Sequence, residues 1–181
     1  MNRRSILRGA AAITGSALCP PIQADSLEHA IRVAAGQDRF NEHAALGSNR
    51  SIDCKVSAKD TNGTWSSFES HWQGKGGPPL HVHHDQDEWF YVIEGDYVFQ
   101  VGGEKFNLTS GDSVLAPRRI PHTFSHLREE RGRIVSAFQP AGSMEAFFHE
   151  QSKLTGTPSP QEMQRMYRAH GLELLGPPLT V

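Results

Sequence analysis

The sequence predicts an all-β fold, a sandwich or barrel of short strands with helix confined to its C-terminal part. Three observations carry this. Apolar and polar residues alternate with period two from Ile52 to Ala58, and Trp89–Glu94 is a second short strand-like run closed by Gly95-Asp96. Turns rich in glycine follow one another at intervals of about 8–12 residues, the spacing of consecutive strands in sandwiches and barrels. Finally, Gly 17 and Pro 11 in 181 residues favour turns over long helices. The length suits one domain with a sizeable core.

Taken in order, residues 1–24 read as an export signal. Asn2-Arg3-Arg4-Ser5-Ile6-Leu7-Arg8 is a charged start, Gly9–Ala24 is uncharged, and Ile22-Gln23-Ala24 offers a small-residue cleavage site. At 16 residues, the uncharged run is shorter than the roughly 20 of a spanning helix. The arginine pair is similar to a bacterial twin-arginine signal, which implies a periplasmic protein exported already folded; an ordinary secretory signal is the alternative. Cleavage would remove three arginines and no acid, taking the net charge from −2 to −5. With no basic stripe, nucleic acid is not an expected partner. Cleavage would also remove Cys19, leaving Cys54 with no disulfide partner. Within Ile52-Asp53-Cys54-Lys55-Val56 it reads as a buried small hydrophobe, not a nucleophile.

Residues 25–50 form a polar N-terminal arm with a short helix expected around Leu27–Ala35. Residues 51–140 are strand after strand. Asp60-Thr61-Asn62-Gly63 predicts a tight hairpin. Trp89–Glu94 and Tyr97–Val101 flank Gly95-Asp96, a second hairpin; Gly102-Gly103-Glu104 makes a third turn and Ser110-Gly111-Asp112 a fourth. Residues 141–181 change character and read as a helical extension. Ser159-Pro160-Gln161-Glu162 is a capping box with proline at the first helical position. Met163, Met166 and Tyr167 give that helix one apolar face, and Gly171 stops it.

Five of the ten histidines fall between His81 and His126. On a strand, residues two apart share a face, so the rings of His81 and His83 project together from backbones about 7 Å apart. A turn through His84–Asp87 can return Glu88 beside them, and Pro121-His122-Thr123-Phe124 opens a strand that supplies a third imidazole. Two imidazoles and a carboxylate already leave coordination positions open, as in non-haem iron and related catalytic sites. Burying one imidazole has a bland explanation; converging three needs a reason. His84 should point away. His29, His43, His71, His149 and His170 belong to no constellation and read as surface residues.

These residues resemble the cupin superfamily, whose first motif is a glycine-led His-x-His-x3,4-Glu-x6-Gly and whose second is Gly-x5-Pro-x-Gly-x2-His-x3-Asn. The resemblance covers roughly residues 50–140. It implies a single cupin barrel, a double-stranded β-helix or jelly roll, with short C-terminal helices. Carried over position by position, it implies that His81, His83, Glu88 and His122 hold one divalent transition metal ion, with Gly95, Gly111 and Pro117 framing the turns. Arg119 stands where the motif has its last glycine, so a glycine-only backbone conformation is not expected there. His126 stands where the motif has asparagine. It should face the interior, either as a hydrogen-bond donor behind the ligands or as an added acid or base.

Gly76-Gly77-Pro78-Pro79-Leu80-His81-Val82-His83, followed by Asp87-Glu88-Trp89-Phe90-Tyr91-Val92, is similar to small single-domain bacterial quercetin-dioxygenase-like cupins. That resemblance implies oxygenolytic opening of a flavonol ring, with an aromatic substrate and dioxygen as partners and Glu88 as both ligand and general base. Phe90, Val92, Phe99, Phe124 and His126 would line the substrate pocket, with Phe99 opposite Val92 across the Gly95-Asp96 hairpin. The metal is open among Fe, Mn, Ni, Co, Cu and Zn. Two other functions stand beside this one: a metal-dependent isomerase or lyase of a small polar molecule, and a non-catalytic ligand-binding cupin. A complete ligand set with Glu88 argues against the last, and Phe90 with Phe99 argues against a sugar. Trp89, Tyr91 and Ile93 alternate out of phase with Glu88. Their outer face should be covered by the C-terminal helix, the N-terminal arm or a second subunit, most simply in a homodimer.

Overall fold

In the computed structural model, which describes residues 30–180, the alternating segments become eleven strands in two antiparallel sheets. The first sheet runs β1 (Ala44–Ala45), β2 (Arg50–Val56), β3 (Ser66–Gln73), β10 (Arg131–Gln139), β5 (Asp87–Glu94) and β8 (Ser113–Ala116). The second runs β11 (Leu172–Pro178), β4 (Pro79–His83), β9 (His122–His126), β6 (Tyr97–Val101) and β7 (Glu104–Leu108). Their apolar faces meet: the Phe90 ring of the first sheet lies 5.0 Å from Phe99 and 5.6 Å from Phe124 of the second. Among the described residues no ladder joins the two sheets, so the expected barrel takes the form of two facing sheets, not one closed ladder.

The turns correct the expected connectivity. Gly95-Asp96 does not close a hairpin, because β5 pairs with β10 and β8 while β6 pairs with β9 and β7. It carries the chain from one sheet to the other. Phe99 accordingly lies opposite Phe106 and Phe124 in its ladder, not opposite Val92. Alternation specifies which face of a strand is buried but not which strand lies beside it, and crossing here sets two aromatic faces against each other. Gly102-Gly103 does close a two-residue hairpin, with Val101 paired to Glu104. Ser110-Gly111-Asp112 passes between sheets, from β7 to β8. The link from β2 to β3 is longer than a tight turn: a 3-10 turn at Ala58–Thr61, capped by Ser57, ends on Asn62 in the left-handed conformation.

Residues 30–35 form no helix, and residues 27–29 of the segment expected to be helical, like the export signal, lie outside the described residues. At the other end, helix α1 (Met144–Ser152) is followed by α2 (Pro160–Ala169). The capping box opens α2 as its sequence dictates: Ser159 and Glu162 bond reciprocally to each other's backbone N–H, and Met166 and Tyr167 are buried. The extension is not wholly helical, however. Past Gly171 the chain becomes β11, which pairs with β4. No helix among the described residues is long and apolar enough to cross a membrane.

Cys54 is buried, and burial pushes its thiol up to about 12, so it is no nucleophile. Its neighbour Asp53 has the opposite parity yet is only 2% exposed. His43 Nδ1 at 2.6 Å and His71 Nε2 at 3.1 Å cover its carboxylate, with Lys55 at 3.7 Å. His43 is exposed, as expected, yet engaged with Asp53, whereas His71 is less exposed than a surface residue. So is His170, which bonds Ser143 and Glu150 at 3.0 and 2.9 Å.

Candidate metal centre

Strand β4 carries His81 and His83 on one face, and His81 stands directly opposite His122 of β9. A turn over His84–Gln86 reverses the chain into the other sheet, where Glu88 points back at all three rings. The potential ligand atoms of His81, His83, Glu88 and His122 lie within 4.8 Å of one another, and all four residues are buried. Glu88 Oε2 is 3.0 Å from His122 Nε2 and 3.2 Å from His83 Nε2.

The far nitrogen of each ring sets its tautomer. Nδ1–H of His81 donates to the Pro79 carbonyl at 2.8 Å, that of His122 to Ile120 at 3.1 Å, and that of His83 to Gln86 Oε1 at 3.3 Å. Each Nε2 then turns its lone pair inward, the arrangement that prepares imidazole for an ion. His83 Nε2 is too poorly aligned with Glu88 to form a hydrogen bond and has no other partner, although it is buried. A neutral His122 has no second proton to give Glu88, so its 3.0 Å contact is relieved only by an ion or an added proton. Burial pushes His81 down to about 3, helped by His122 and His83, which keeps it a neutral donor. Burial alone would raise the Glu88 carboxyl; positive charge facing it from the side of His122 and His83, a proton or an ion, holds it well below the usual carboxylate range. Three imidazole nitrogens and one carboxylate fit a divalent transition metal.

Supporting contacts extend outward. Gln86 is buried behind His83 and donates to the carbonyls of Pro140 and Ala141 at 3.1 and 2.8 Å. Arg119, expected to avoid a glycine-only conformation, has φ 66°. Its backbone N–H donates to the His83 carbonyl at 2.7 Å and its Nε to His84 at 3.3 Å. Those two bonds offset a cost of about 1–2 kcal/mol for a left-handed non-glycine residue. His84 is half-exposed and points toward Glu173, away from the cluster.

A cavity of about 40 Å³ adjoins the cluster. Phe90 and Phe124 line it, as expected, but Val92, Phe99 and His126 do not. Val92 and Phe99 are core residues. His126 is fully buried at the far end of β9, its ring 4.9 Å from Tyr97 and its Nδ1–H donating to Gly74 at 2.9 Å. The lining includes residues the sequence reading passed over: Arg50 and Ser70 from the first sheet, Phe147 from α1, and Tyr167, whose ring lies 5.9 Å from His81. A charged residue at the inward parity of Arg50, Ile52 and Cys54 was the available signal for the first.

Residues 68–138 match the family model described as the cupin domain. A cupin domain is thus matched over that part of the chain. Around it, 64 residues are 39% identical to quercetin 2,3-dioxygenase of Bacillus subtilis, covering 35% of this chain and 19% of that enzyme. A stretch of 101 residues is 28% identical to the probable oxidoreductase virH of Hypocrea virens, covering 51% of this chain and 46% of that protein. The chain thus spans less than half the length of either relative. Among solved structures, the chain resembles the polyketide cyclase RemF from Streptomyces resistomycificus, with a TM-score of 0.52 and 17% identity over 61% of this chain and 80% of that one. It also resembles KdgF from Halomonas sp., with a TM-score of 0.51 and 17% identity over 57% and 90% of the two chains. At such identities the likeness is one of fold alone.

Proposed function

We propose that this cupin is a metal-dependent dioxygenase of an aromatic, flavonol-like substrate, with His81, His83, Glu88 and His122 holding one divalent ion. The observation that carries the reading is the orientation of the three imidazoles, every Nδ1–H tied back and every Nε2 turned toward an ionised Glu88. The likeness to quercetin 2,3-dioxygenase supports the choice of reaction. The bound metal would acidify the substrate hydroxyl and orient it toward dioxygen. Glu88 would accept that hydroxyl's proton. Held as low as it is, it is a weak base and suits only a hydroxyl already acidified. Phe90 and Phe124 would face the aromatic rings, and Tyr167 and Phe147 would exclude water.

A second reading, a lyase or isomerase of a small polar molecule, is favoured by the size of the cavity. Its 40 Å³ falls far below the roughly 300 Å³ of pockets for drug-sized ligands, so a flavonol requires α1 and α2 to move aside. Metal analysis of the isolated protein, followed by oxygen uptake with flavonols and catechols, tests both. The expected result is about one ion per chain and uptake that depends on it. A full metal complement without uptake shifts the reading to the lyase or isomerase; no metal sinks both.

We also propose a homodimer formed through the outer face of the first sheet. Trp89 and Tyr91 are each 39% exposed with rings stacked at 5.9 Å, and Leu115 beside them is 53% exposed. No described part of the chain covers them. Light scattering should give twice the monomer mass, and iodide should quench Trp89 poorly. A monomer with freely quenched fluorescence would refute this.

A further inference from the structure

Arg50 opens β2 at the parity that Ile52 and Cys54 share, so its side chain enters the interior. It lies across from Trp72, with the guanidinium carbon 5.0 Å from the Trp72 ring and 5.8 Å from that of Phe148. Its Nη2 donates to Ser70 Oγ at 3.3 Å. Part of the side chain is accessible, but Nε is cut off from solvent and has no hydrogen-bond partner. Among the described residues no carboxylate lies within 4.0 Å of it. The contrast with other arginines is sharp: Arg39 is paired with Asp60, Arg118 with Asp87, and Arg133 with Glu69. Burial pushes the Arg50 guanidinium down to about 10, which still leaves it a cation at neutral pH.

A buried cation is costly unless something of opposite charge meets it. Arg50 lines the same cavity as His81, His83 and Glu88, and the surface between them is polar on one side. Ser70 is the diagonal neighbour of Arg50, Ser136 of Ser70, and Glu88 of Ser136, all on the inner face of four successive strands. Glu88 itself is committed to the imidazoles. A planar fork of donors above an otherwise aromatic floor suits a carboxylate.

We infer that Arg50 binds the anionic group of the substrate, which deepens the second reading, a lyase or isomerase of a small polar molecule: that molecule is a small organic acid whose carboxylate lies against Arg50 and Ser70 while a second oxygen reaches the His–Glu cluster. This rests on the reading of that cluster as a metal centre, but not on the use of dioxygen. The narrow cavity adds that the acid carries few atoms beyond its two oxygen-bearing groups, unless the helices open.

The full chain loaded with cobalt(II) separates the two claims. Its visible absorption and metal content report the centre, and titration with glycolate, salicylate and the neutral analogue glycolamide reports the anion site. Glycolate or salicylate should perturb the cobalt spectrum. Arg50→Met should weaken that binding at least tenfold, with cobalt content and glycolamide binding unchanged. Arg50→Lys should recover part of the loss, because it restores charge without the fork. An Arg50→Met protein that holds cobalt and binds the acids as tightly as the original overturns the inference, as does an original that binds neither acid. Should Arg50→Met fail to fold, Arg50→Lys decides: acid affinity severalfold weaker sustains the proposal, and unchanged affinity overturns it. A chain that takes up no cobalt defeats the metal reading itself, and this inference with it.

Discussion

Replacing Glu88 by glutamine should abolish turnover while most of the metal stays. The amide keeps the volume of the carboxylate and one oxygen that can face the ion, but it has neither the negative charge nor the basic oxygen that receives a proton. General bases contribute about 10²–10⁴ in rate, so activity should fall by at least a hundredfold. Metal content should fall much less, since the three inward nitrogens of His81, His83 and His122 remain tied back by Pro79, Gln86 and Ile120. His122→Ala is the opposite case. It removes a ligand directly across the ladder from His81, so metal and activity should disappear together. His84→Ala should spare both, because that ring is turned out toward Glu173. Metal analysis alongside rate measurements on the three variants checks the set. Equal loss of metal and rate in Glu88→Gln would reduce Glu88 to a ligand alone.

Gly77→Ala should be the most damaging small substitution in the protein. A Cβ there would fall 1.6 Å from the carbonyl oxygen of Phe124, 2.7 Å from its carbon and 3.1 Å from Ser125 Cα. These are backbone atoms of β9 and cannot swing away as a side-chain tip can. The chain entering β4 is also pinned: Thr123 Oγ1 donates to the Pro78 carbonyl at 2.7 Å, and Gly76 and His126 exchange backbone bonds at 3.2 and 2.7 Å. Relief requires β4 to move off β9, which breaks that exchange and separates His81 from His122. Overpacking costs about 1–3 kcal/mol and occasionally more; at the upper end, the melting temperature should fall by roughly 6–12 °C. Metal binding should weaken with it. Gly103→Ala, whose Cβ would meet nothing within 4 Å, is the control. Equal melting temperatures for the two variants would mean that β4 and β9 do not approach so closely.

The difference between what could be read from the sequence and what could not follows from the range of the forces involved. Convergence of His81, His83 and Glu88 follows from strand parity and one short turn, so it was legible. Parity also turned His126 inward correctly. It does not say how far along the strand a residue sits, and four residues of strand is about 13 Å, enough to take His126 out of reach of the cluster. Strand partners are set by burial across the whole molecule, which is why Gly95-Asp96 reads as a hairpin but crosses between sheets. Arg50 acquires its meaning from Phe148, nearly a hundred residues away, and Asp53 is shielded from water by His43 and His71, one of them on another strand. Arg119 shows the converse: the turn keeps its left-handed backbone, and two carbonyls of the β4 end hold it there.

β11 has a consequence in time as well as in space. The strand bearing His81 and His83 has β9 along one edge, and along the other it waits for Leu174 and Leu172, about ninety residues later in the chain. The helices that roof the cavity, α1 and α2, also follow every residue of the His–Glu cluster. During synthesis, therefore, the four side chains leave the ribosome well before the segments that will enclose them. An ion meeting the growing chain would find the cluster still roofless; one arriving after completion would meet a cavity that Phe147 and Tyr167 help to line. The order of the sequence, as much as the chemistry of the donors, would thus govern when such a centre could be filled.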